Sequence, residues 1–287
     1  MFCLVPLLLF AKPLATLVAL ARSDDRYTHL PLIPFVCLAL ILYRRRSIFR
    51  GTLGRLTPGL ILAAAGIALS GLAQTLAPSP QAALPMIVCG VVLAWVGGFI
   101  SVYGTGPFKA ALFPLTLLLL FIPLPAPVVE SAQVMLQQAS AEVTYLLFRL
   151  VGTPVFRQGF QFSLPGFTIE VARECSGIRS TIALLITALV LSYLFLRSGW
   201  RRAAFVLLTV PIAIFKNALR IASMSWLGIY VSKDYLYGDV HRYGGLPVSA
   251  AALLLLIPAL LLLQRSEQRR PAQSAPATAQ PAPSPTK

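Results

Sequence analysis

The chain has 287 residues, of which 57% are hydrophobic and only 11% are charged, and its mean hydropathy is +0.79. A soluble domain carries roughly a quarter charged residues, so this composition excludes an ordinary soluble protein. Several apolar runs reach about 18 residues or more, enough to cross a bilayer as helices, so the sequence predicts a polytopic membrane protein. The first run has no Ala-x-Ala-like exit and is followed by further spans, so we do not interpret it as a cleavable signal peptide.

The net charge of +15 and the pI near 10.4 raise nucleic acid as a partner, but the distribution of the basic residues argues against it. Each basic cluster immediately flanks an apolar span, as the positive-inside bias of membrane proteins predicts. We therefore expect topology anchors that contact anionic membrane lipid, and no nucleic-acid partner. The clusters are Arg44–Arg46 with Arg50 and Arg55, Arg197 with Arg201 and Arg202, and Arg265 with Arg269 and Arg270.

In chain order, the predicted spans cover residues 2–21, 30–43, 56–76, 84–103, 108–122, 178–196, 203–230 and 246–263. Eight spans with the basic clusters inside put both termini in the cytoplasm. The acidic residues agree with this orientation, because only Glu267 then lies on the inner side. The tail from Gln264 onward is basic and then rich in Pro, Ala, Ser and Gln, so it is expected to be disordered.

The long non-spanning segment, residues 126–174, has two parts. Its first half repeats apolar residues at helical spacing, with Gln133, Gln137, Gln138 and Glu142 opposite, which predicts an amphipathic helix lying on the membrane surface or capping the bundle. Its second half alternates apolar and polar residues around Pro165-Gly166, which predicts a short β-hairpin whose outgoing strand leads to Cys175. The expected fold class is an all-α polytopic membrane protein with this extracytoplasmic helix and hairpin before the sixth span.

The segment from Glu174 to Ser180 lies where this aqueous segment ends and the sixth span begins. The helix N-terminus and Arg179, one turn further on, would both favour the thiolate of Cys175, which is the nucleophilic form. Taken alone, a small buried cysteine followed by helix-starting Ser and Gly explains the motif as well, because a single Cys motif is weak evidence. Cys3, Cys37 and Cys89 lie inside apolar runs and have no metal-ligand spacing, so no metal or cofactor is expected.

Other unusual residues share the depth of Cys175. Arg220 follows the basic turn by about 18 residues, or roughly 27 Å of helix, so it approaches the outer surface. Asn217 lies one turn below it on the same face, Lys216 is adjacent, and His241 precedes the last span on the same side. An intramembrane Arg is costly unless it is paired or lines a wet cavity, although Arg220 could also snorkel to headgroups.

Together these groups indicate a cysteine transpeptidase or protease. Cys175 would attack a peptide carbonyl, and His241 would accept the thiol proton and return it to the leaving amine. Arg220 would stabilise the oxyanion or clamp the substrate carbonyl. Arg242, beside His241, could act in its place. The residues expected to bind substrate or to support these three are Arg179, Asn217, Ser176, Glu174 and Arg242.

The sequence resembles the exosortase/archaeosortase family of membrane enzymes. The segments that carry the resemblance are FIPLP at 121–125, GTPVFRQG at 152–159, LPG at 164–166, EVARECSGIRS at 170–180, NALR at 217–220, and His241 followed by Gly244-Gly245. Their combination is more specific than any one piece. The resemblance covers residues 84–263, which it marks as the catalytic membrane core, whereas the N-terminal helices within 1–83 match only in hydrophobicity and 264–287 form the tail.

This resemblance implies a sortase analogue that uses Cys, Arg and His, carried here onto Cys175, Arg220 and His241. It implies cleavage of C-terminal tripartite sorting signals of the PEP-CTERM kind and transfer of the new C-terminus to a surface acceptor. The implied partners are the sorting-signal helices of exported proteins and exopolysaccharide assembly proteins, and the implied location is the plasma (inner) membrane of the cell.

Two alternatives stay open from the residues alone. A transporter or lipid-handling membrane protein without covalent chemistry would use Lys216 and Arg220 as a substrate or anion site, but it gives no reason for Cys175 to share their depth. An intramembrane protease would use the same residues and release its product to water. The two enzymes differ only in the C-terminus of the product.

Overall fold

The computed structural model describes residues 10–50, 56–232 and 245–268, and helices make up most of this part of the chain. The longer helices follow the apolar runs, because a helix satisfies its own backbone polar groups in lipid. All the described α-helices, long and short, are α1 Ala11–Ser23, α2 Leu32–Tyr43, α3 Arg45–Ile48, α4 Leu56–Leu76, α5 Pro80–Tyr103, α6 Thr105–Ala110, α7 Leu112–Leu117, α8 Ala126–Leu150, α9 Ile178–Phe195, α10 Gly199–Tyr230 and α11 Gly245–Gln268. Short 3₁₀ turns occur at Asp25–Tyr27, Leu118–Phe121 and Arg173–Ser176.

In the described part of the chain, six helices are long and apolar enough to cross a membrane. They are Asp25–Tyr43, Pro58–Leu76, Pro80–Tyr103, Ile178–Phe195, Gly199–Tyr230 and Pro247–Gln268. The number rises to seven if Leu112–Phe121 and Ala126–Leu150, which meet at a 93° bend, count as one broken span. The predicted number of eight is therefore not confirmed.

Two predicted spans account for the difference. The first began at residue 2, but residues 1–9 lie outside the described residues and α1 has only 13 residues. The fifth, residues 108–122, is broken into α6, α7 and a 3₁₀ turn. Pro114 explains the break after Ala110, since a proline clashes with the carbonyl four residues before it. The predicted span was based on hydropathy, which does not detect a helix break caused by a proline.

Helices α4 and α5 form a close antiparallel pair through two matching rows of small residues. The rows are Gly59, Ala63, Gly66 and Ser70 on α4, and Gly90, Ala94, Gly97 and Ser101 on α5. A Cβ added to Gly97 would lie only 2.5 Å from the backbone nitrogen of Ala63. Small residues let the two backbones approach, as is common between membrane helices.

A three-stranded antiparallel sheet follows α8, with β1 Phe156–Gln158, β2 Gln161–Leu164 and β3 Phe167–Glu170 in the order β1-β2-β3. The predicted hairpin is confirmed as β2 and β3, whereas the three-residue β1 was not predicted. Phe162 on β2 is buried against Phe148 of α8, and Trp226 of α10 packs on the same Phe148 ring. The sheet, α8 and the last turns of α10 therefore share one apolar core.

Helix α8 divides into three sides. The side buried in the protein carries Val129, Gln133, Gln137, Ser140, Ala141, Thr144 and Phe148. At about 100° per residue, Val128, Met135, Leu146 and Leu150 share an exposed apolar flank, and Ser131, Gln138, Glu142 and Arg149 an adjoining polar one. The predicted helix is confirmed, but its glutamines do not all lie on the solvent side. Gln133 and Gln137 face the protein because their amides bind backbone carbonyls.

Helices α9, α10 and α11 complete the bundle. Helices α9 and α10 run antiparallel, and we call the end where α9 begins the site end. At the opposite end, Glu267 of α11 accepts hydrogen bonds from the backbone nitrogens of Arg197 and Ser198, and its carboxylate pairs with Arg201. This carboxylate satisfies backbone donors at the start of α10. Helix α11 thus extends into the predicted tail, whose remainder from residue 269 lies outside the described residues.

Candidate active site

The backbone of Cys175 lies in the turn between the sheet and α9. Strand β3 ends at Glu170, the backbone nitrogen of Val171 donates to the carbonyl of Phe160, and the 3₁₀ turn Arg173–Ser176 follows. Gly177 then connects this turn to α9 with a φ of 73°, in the left-handed region that favours glycine. The predicted position of Cys175 immediately before a helix is confirmed. The side chains of Glu174 and Cys175 lie outside the described part of the structure.

Asn217 on α10 packs against this turn. A Cβ added to Gly177 would lie 2.9 Å from Oδ1 of Asn217 and 3.0 Å from its Cγ, so the glycine backbone itself is what the amide side chain contacts. Asn217 is buried, and Gly177 is two residues from Cys175. The tertiary fold therefore brings the predicted supporting residue Asn217 to the turn that carries the predicted nucleophile.

Lys216 contacts the same turn from the adjacent position. Its side chain is only 7% exposed, and Nζ donates to Oγ of Ser180, whose hydroxyl in turn donates to the carbonyl of Gly177 at 2.9 Å. Among the side chains that the structure describes, no carboxylate lies within 4.0 Å of Nζ. Lys216 was noted in the sequence beside Arg220 but was not among the predicted site residues. A buried ammonium group thus lies beside the first turn of α9.

Arg220 lies one helical turn beyond Asn217, about 4.5 Å further along α10 toward the site end. It shares the helix face of Lys216 and Asn217, and its side chain is partly exposed. Gly199 begins α10, so Arg220 is about 32 Å along the helix. This depth agrees with the prediction that Arg220 approaches the same membrane surface as Cys175.

Arg179 points away from the protein interior. Its Nη1 lies 3.1 Å from Oδ1 of Asp25, and the two side chains are 64% and 78% exposed. Asp25 belongs to the 3₁₀ turn Asp25–Tyr27, so the pair links the N-terminal helices to the start of α9. Water strongly screens an exposed ion pair. The buried charge of Lys216 therefore acts on this turn more strongly than the exposed charge of Arg179.

Ser176, which follows the predicted nucleophile, is buried at 1% exposure. Within the described part of the chain its Oγ has no hydrogen-bond partner. A buried hydroxyl normally has a partner, and the side chains of the adjoining Glu174 and Cys175 lie outside the described part of the structure.

Two residues that were not predicted to belong to the site hold the segment before Cys175. Nε2 of Gln133 donates to the carbonyl of Arg173 at 2.7 Å, and Nε2 of Gln137 donates to the carbonyl of Val171 at 2.5 Å. Both glutamines come from α8, where they are spaced four residues apart on one face. That spacing was visible in the sequence, but it did not reveal that the face is buried.

An open cleft of about 530 Å³ lies between α8 and Arg173. Its walls combine both charges with apolar and amide groups. The lining residues are Pro127, Glu130, Ser131, Gln133, Val134, Met135, Gln138 and Arg173.

His241 and Arg242 lie outside the described residues, so the third predicted catalytic group stays a prediction. Across residues 10–50, 56–232 and 245–268, no cluster of three or more His, Cys, Asp or Glu residues could hold a metal ion.

Comparison with known proteins identifies the family of the chain. Residues 21–258 match the family model described as Transmembrane exosortase (Exosortase_EpsH), and this range contains Cys175, Asn217, Arg220 and His241. No curated protein and no solved structure was found to match the chain. Because the family model matches most of its length, the chain belongs to the transmembrane exosortase family.

Proposed function

We propose that this protein is a membrane-embedded cysteine transpeptidase that cleaves C-terminal tripartite sorting signals and transfers the exported protein to a surface acceptor. The observation that carries the proposal is the packing of the basic turn of α10 on the turn of Cys175, through Asn217 against Gly177 and Lys216 on Ser180. Arg220 lies one turn further on the same face. A cysteine at the start of a helix, beside cations held within the bundle, suits a thiolate nucleophile and a developing oxyanion.

In the proposed reaction, the thiol proton of Cys175 passes to His241 and the thiolate attacks the carbonyl carbon of the scissile peptide bond. Arg220 stabilises the negative oxygen of the tetrahedral intermediate. The C–N bond then breaks, His241 returns the proton to the leaving amine, and the substrate remains attached to Cys175 as a thioester. A nucleophile on the acceptor attacks the carbonyl carbon of this thioester and gives its proton to His241. The C–S bond then breaks, and Cys175 leaves as the thiolate, which takes the proton back from His241.

Charge distribution supports an orientation in which the site end faces away from the cytoplasm. Arg44 and Arg202 both lie over the ring of Tyr193 at the opposite end of the bundle, and Arg201 lies there as well. Asp25 lies at the site end, where it pairs with Arg179. On the positive-inside bias, we propose that the opposite end faces the cytoplasm and that the turn of Cys175 lies at the outer face of the plasma membrane.

The same orientation suits a sorting signal as substrate. The apolar helix of the signal would lie in the bilayer beside the bundle, its basic end would reach the cytoplasm, and its short motif would reach the depth of Cys175. The cleft beside Arg173 would take the adjoining polypeptide, and the apolar flank of α8 would contact lipid. Exopolysaccharide assembly proteins are proposed only as functional neighbours.

The decisive experiment is co-expression with a protein that carries a tripartite C-terminal signal. We expect a thioester adduct on Cys175 in the wild type and none in Cys175→Ala, whereas Cys37→Ala and Cys89→Ala should form it normally. Absence of any adduct in the wild type, with the substrate unprocessed, would reject the proposal.

Two further measurements separate the alternatives. A transporter would keep its transport activity in Cys175→Ser, whereas a transpeptidase loses substrate processing. Mass analysis of the product C-terminus distinguishes transfer from hydrolysis, because only transfer adds the mass of the acceptor.

A further inference from the structure

Two buried glutamines of α8 bind the backbone just before Cys175. Gln133 is 8% exposed and Gln137 is 4% exposed, and their amides donate to the carbonyls of Arg173 and Val171. These carbonyls lie two and four residues before the cysteine, on either side of Ala172. The segment between β3 and the 3₁₀ turn is therefore held at two points by one helix.

The held segment has few backbone hydrogen bonds of its own. The backbone nitrogen of Ala172 donates to the carbonyl of Glu170, and that of Val171 donates to Phe160 within the sheet region. The two glutamine amides add the hydrogen bonds that connect the segment to α8 and so to the bundle. A displacement of either amide would move the turn of Cys175 directly.

The same helix also packs against α10. Thr144 on the buried side of α8 donates its hydroxyl to the carbonyl of Ser140 at 2.7 Å. Its Oγ1 also lies 3.4 Å from the carbonyl of Ala218, which stands between Lys216 and Arg220 in sequence. Gln137 lies two turns before Thr144 on that side. Helix α8 thus contacts both the segment that carries the nucleophile and the turn of α10 that carries Arg220.

The two amides satisfy buried backbone carbonyls. Burying an amide is costly unless it is hydrogen-bonded, and an apolar side chain of the same length would leave the carbonyl of Arg173 or Val171 without this donor. What the amide adds is direction, since a hydrogen bond fixes the position of the carbonyl that it binds. Apolar packing alone would leave the segment freer to slide.

We propose that Gln133 and Gln137 are positioning residues that set the placement of Cys175 relative to Arg220 during acyl-enzyme formation. The inference rests on the proposed transpeptidase function. A misplacement of about 1 Å in a reacting group is enough to reduce a rate by about 100-fold. Because Gln137 does not line the open cleft, its replacement lowers kcat and leaves KM nearly unchanged, whereas Gln133 lines the cleft and its replacement changes KM as well.

The test compares Gln137→Met and Gln133→Met with Gln161→Met in the full-length protein. Methionine is close in length to glutamine but has no N–H donor. Gln161 is exposed on β2 and does not line the open cleft, so Gln161→Met is the matched control. With a tripartite-signal protein as substrate, we expect kcat for thioester formation to fall 10- to 100-fold in the first two variants, with KM changed less than threefold in Gln137→Met. Gln161→Met should match the wild type.

A second readout is independent of substrate turnover. In a variant whose Cys3, Cys37 and Cys89 are replaced by alanine, iodoacetamide reports the reactivity of Cys175 alone. Gln137→Met and Gln133→Met should change its alkylation rate at least threefold, and Gln161→Met should not. If the wild type forms no thioester, the proposed function fails, whereas this alkylation series still decides the positioning role.

Several outcomes would overturn the inference. One is an equal effect of Gln161→Met, and another is a rise in KM for Gln137→Met without a fall in kcat. Loss of activity in proportion to loss of folded protein, measured by the thermal midpoint, would assign both glutamines to stability alone. Gln133 borders the open cleft, so Gln133→Met is the variant less prone to misfold. Failure of both variants to fold would likewise overturn the inference and assign the glutamines to stability.

Discussion

The side chain of Asn217 occupies the space that a Cβ on Gly177 would need. The added Cβ would lie 2.9 Å from Oδ1 of Asn217, and the φ of Gly177 is 73°. Two conditions therefore require glycine at this position, namely the left-handed backbone and the close approach of α10. The contact joins the turn of Cys175 to the helix that carries Arg220.

Gly177→Ala should disturb both conditions. The left-handed backbone alone costs about 1–2 kcal/mol for a residue with a Cβ, and the clash with Asn217 adds a shift of α10 relative to the turn. We expect lower thermal stability and a loss of thioester formation of more than tenfold. Gly152→Ala is the matched control, since Gly152 has a φ of 76° and nothing within 4 Å of an added Cβ. It should lose similar backbone stability and keep its activity, and an equal loss of activity in both variants would contradict the prediction.

Lys216→Met should reduce acyl-enzyme formation more than Arg179→Met does. Lys216 is buried and bonded to Ser180, whereas the guanidinium of Arg179 is exposed and paired with Asp25. Because a charge in a low-dielectric interior acts more strongly than one in water, we expect acyl-enzyme formation to fall at least tenfold in Lys216→Met and less than threefold in Arg179→Met.

The stability of Lys216→Met provides the control. Replacing a buried charge by an apolar side chain of similar volume is often neutral or stabilising, so its thermal midpoint should be unchanged or higher. A less active and less stable Lys216→Met variant would indicate a structural role for the ammonium group. The reverse order of activities would assign the functional cation to Arg179.

The contact between the small-residue rows of α4 and α5 should not tolerate a large side chain. Gly97→Leu would force a side chain against the backbone of Ala63, and overpacking of this kind typically costs about 1–3 kcal/mol. Gly71→Leu, on a face of α4 where an added Cβ meets nothing within 4 Å, should be tolerated. The thermal midpoints of the two variants in detergent test this prediction. Equal midpoints would show that the contact between the small-residue rows does not determine the stability of the helix pair.

Asp24 makes the stability of the N-terminal region depend on pH. It accepts hydrogen bonds from the backbone nitrogen of Arg26 and from its guanidinium, which holds the pKa of this carboxyl below its ordinary value of 3.8. A group whose pKa is lowered by folding stabilises the folded state above its ordinary pKa and loses that effect as the pH falls through the lowered value. Comparing unfolding of wild type and Asp24→Asn, we expect a difference at pH 7 that shrinks below about pH 4. A constant difference across this range would contradict the assignment.

Much of the fold was accessible from the sequence, because lipid restricts the choice of structure. The spans at 56–76, 84–103 and 178–196 correspond closely to α4, α5 and α9, and the hairpin around Pro165-Gly166 is present. The span at 108–122 is not confirmed as one helix, because hydropathy does not detect the break that Pro114 imposes. The strand β1 was missed because three residues carry too little alternation to detect.

The site was accessible only in part. Helical rise placed Arg220 near the depth of Cys175, since about 1.5 Å per residue is a property of every α-helix. The positive charge beside Cys175 was assigned to Arg179, which the local sequence brings close. The structure directs Arg179 to Asp25 and places Lys216, 41 residues further along the sequence than Cys175, on the first turn of α9 instead.

The amino-acid sequence by itself determined the membrane class, the order of the helices, the turn of Cys175 at a helix start and the family, because each depends on local composition or motif. The tertiary structure decided which polar groups face inward, namely Lys216 toward Ser180 and the two glutamines of α8 toward the segment before Cys175. A helix with several possible faces does not reveal its buried one. That choice is made by the neighbouring carbonyls and hydroxyls that satisfy its buried donors.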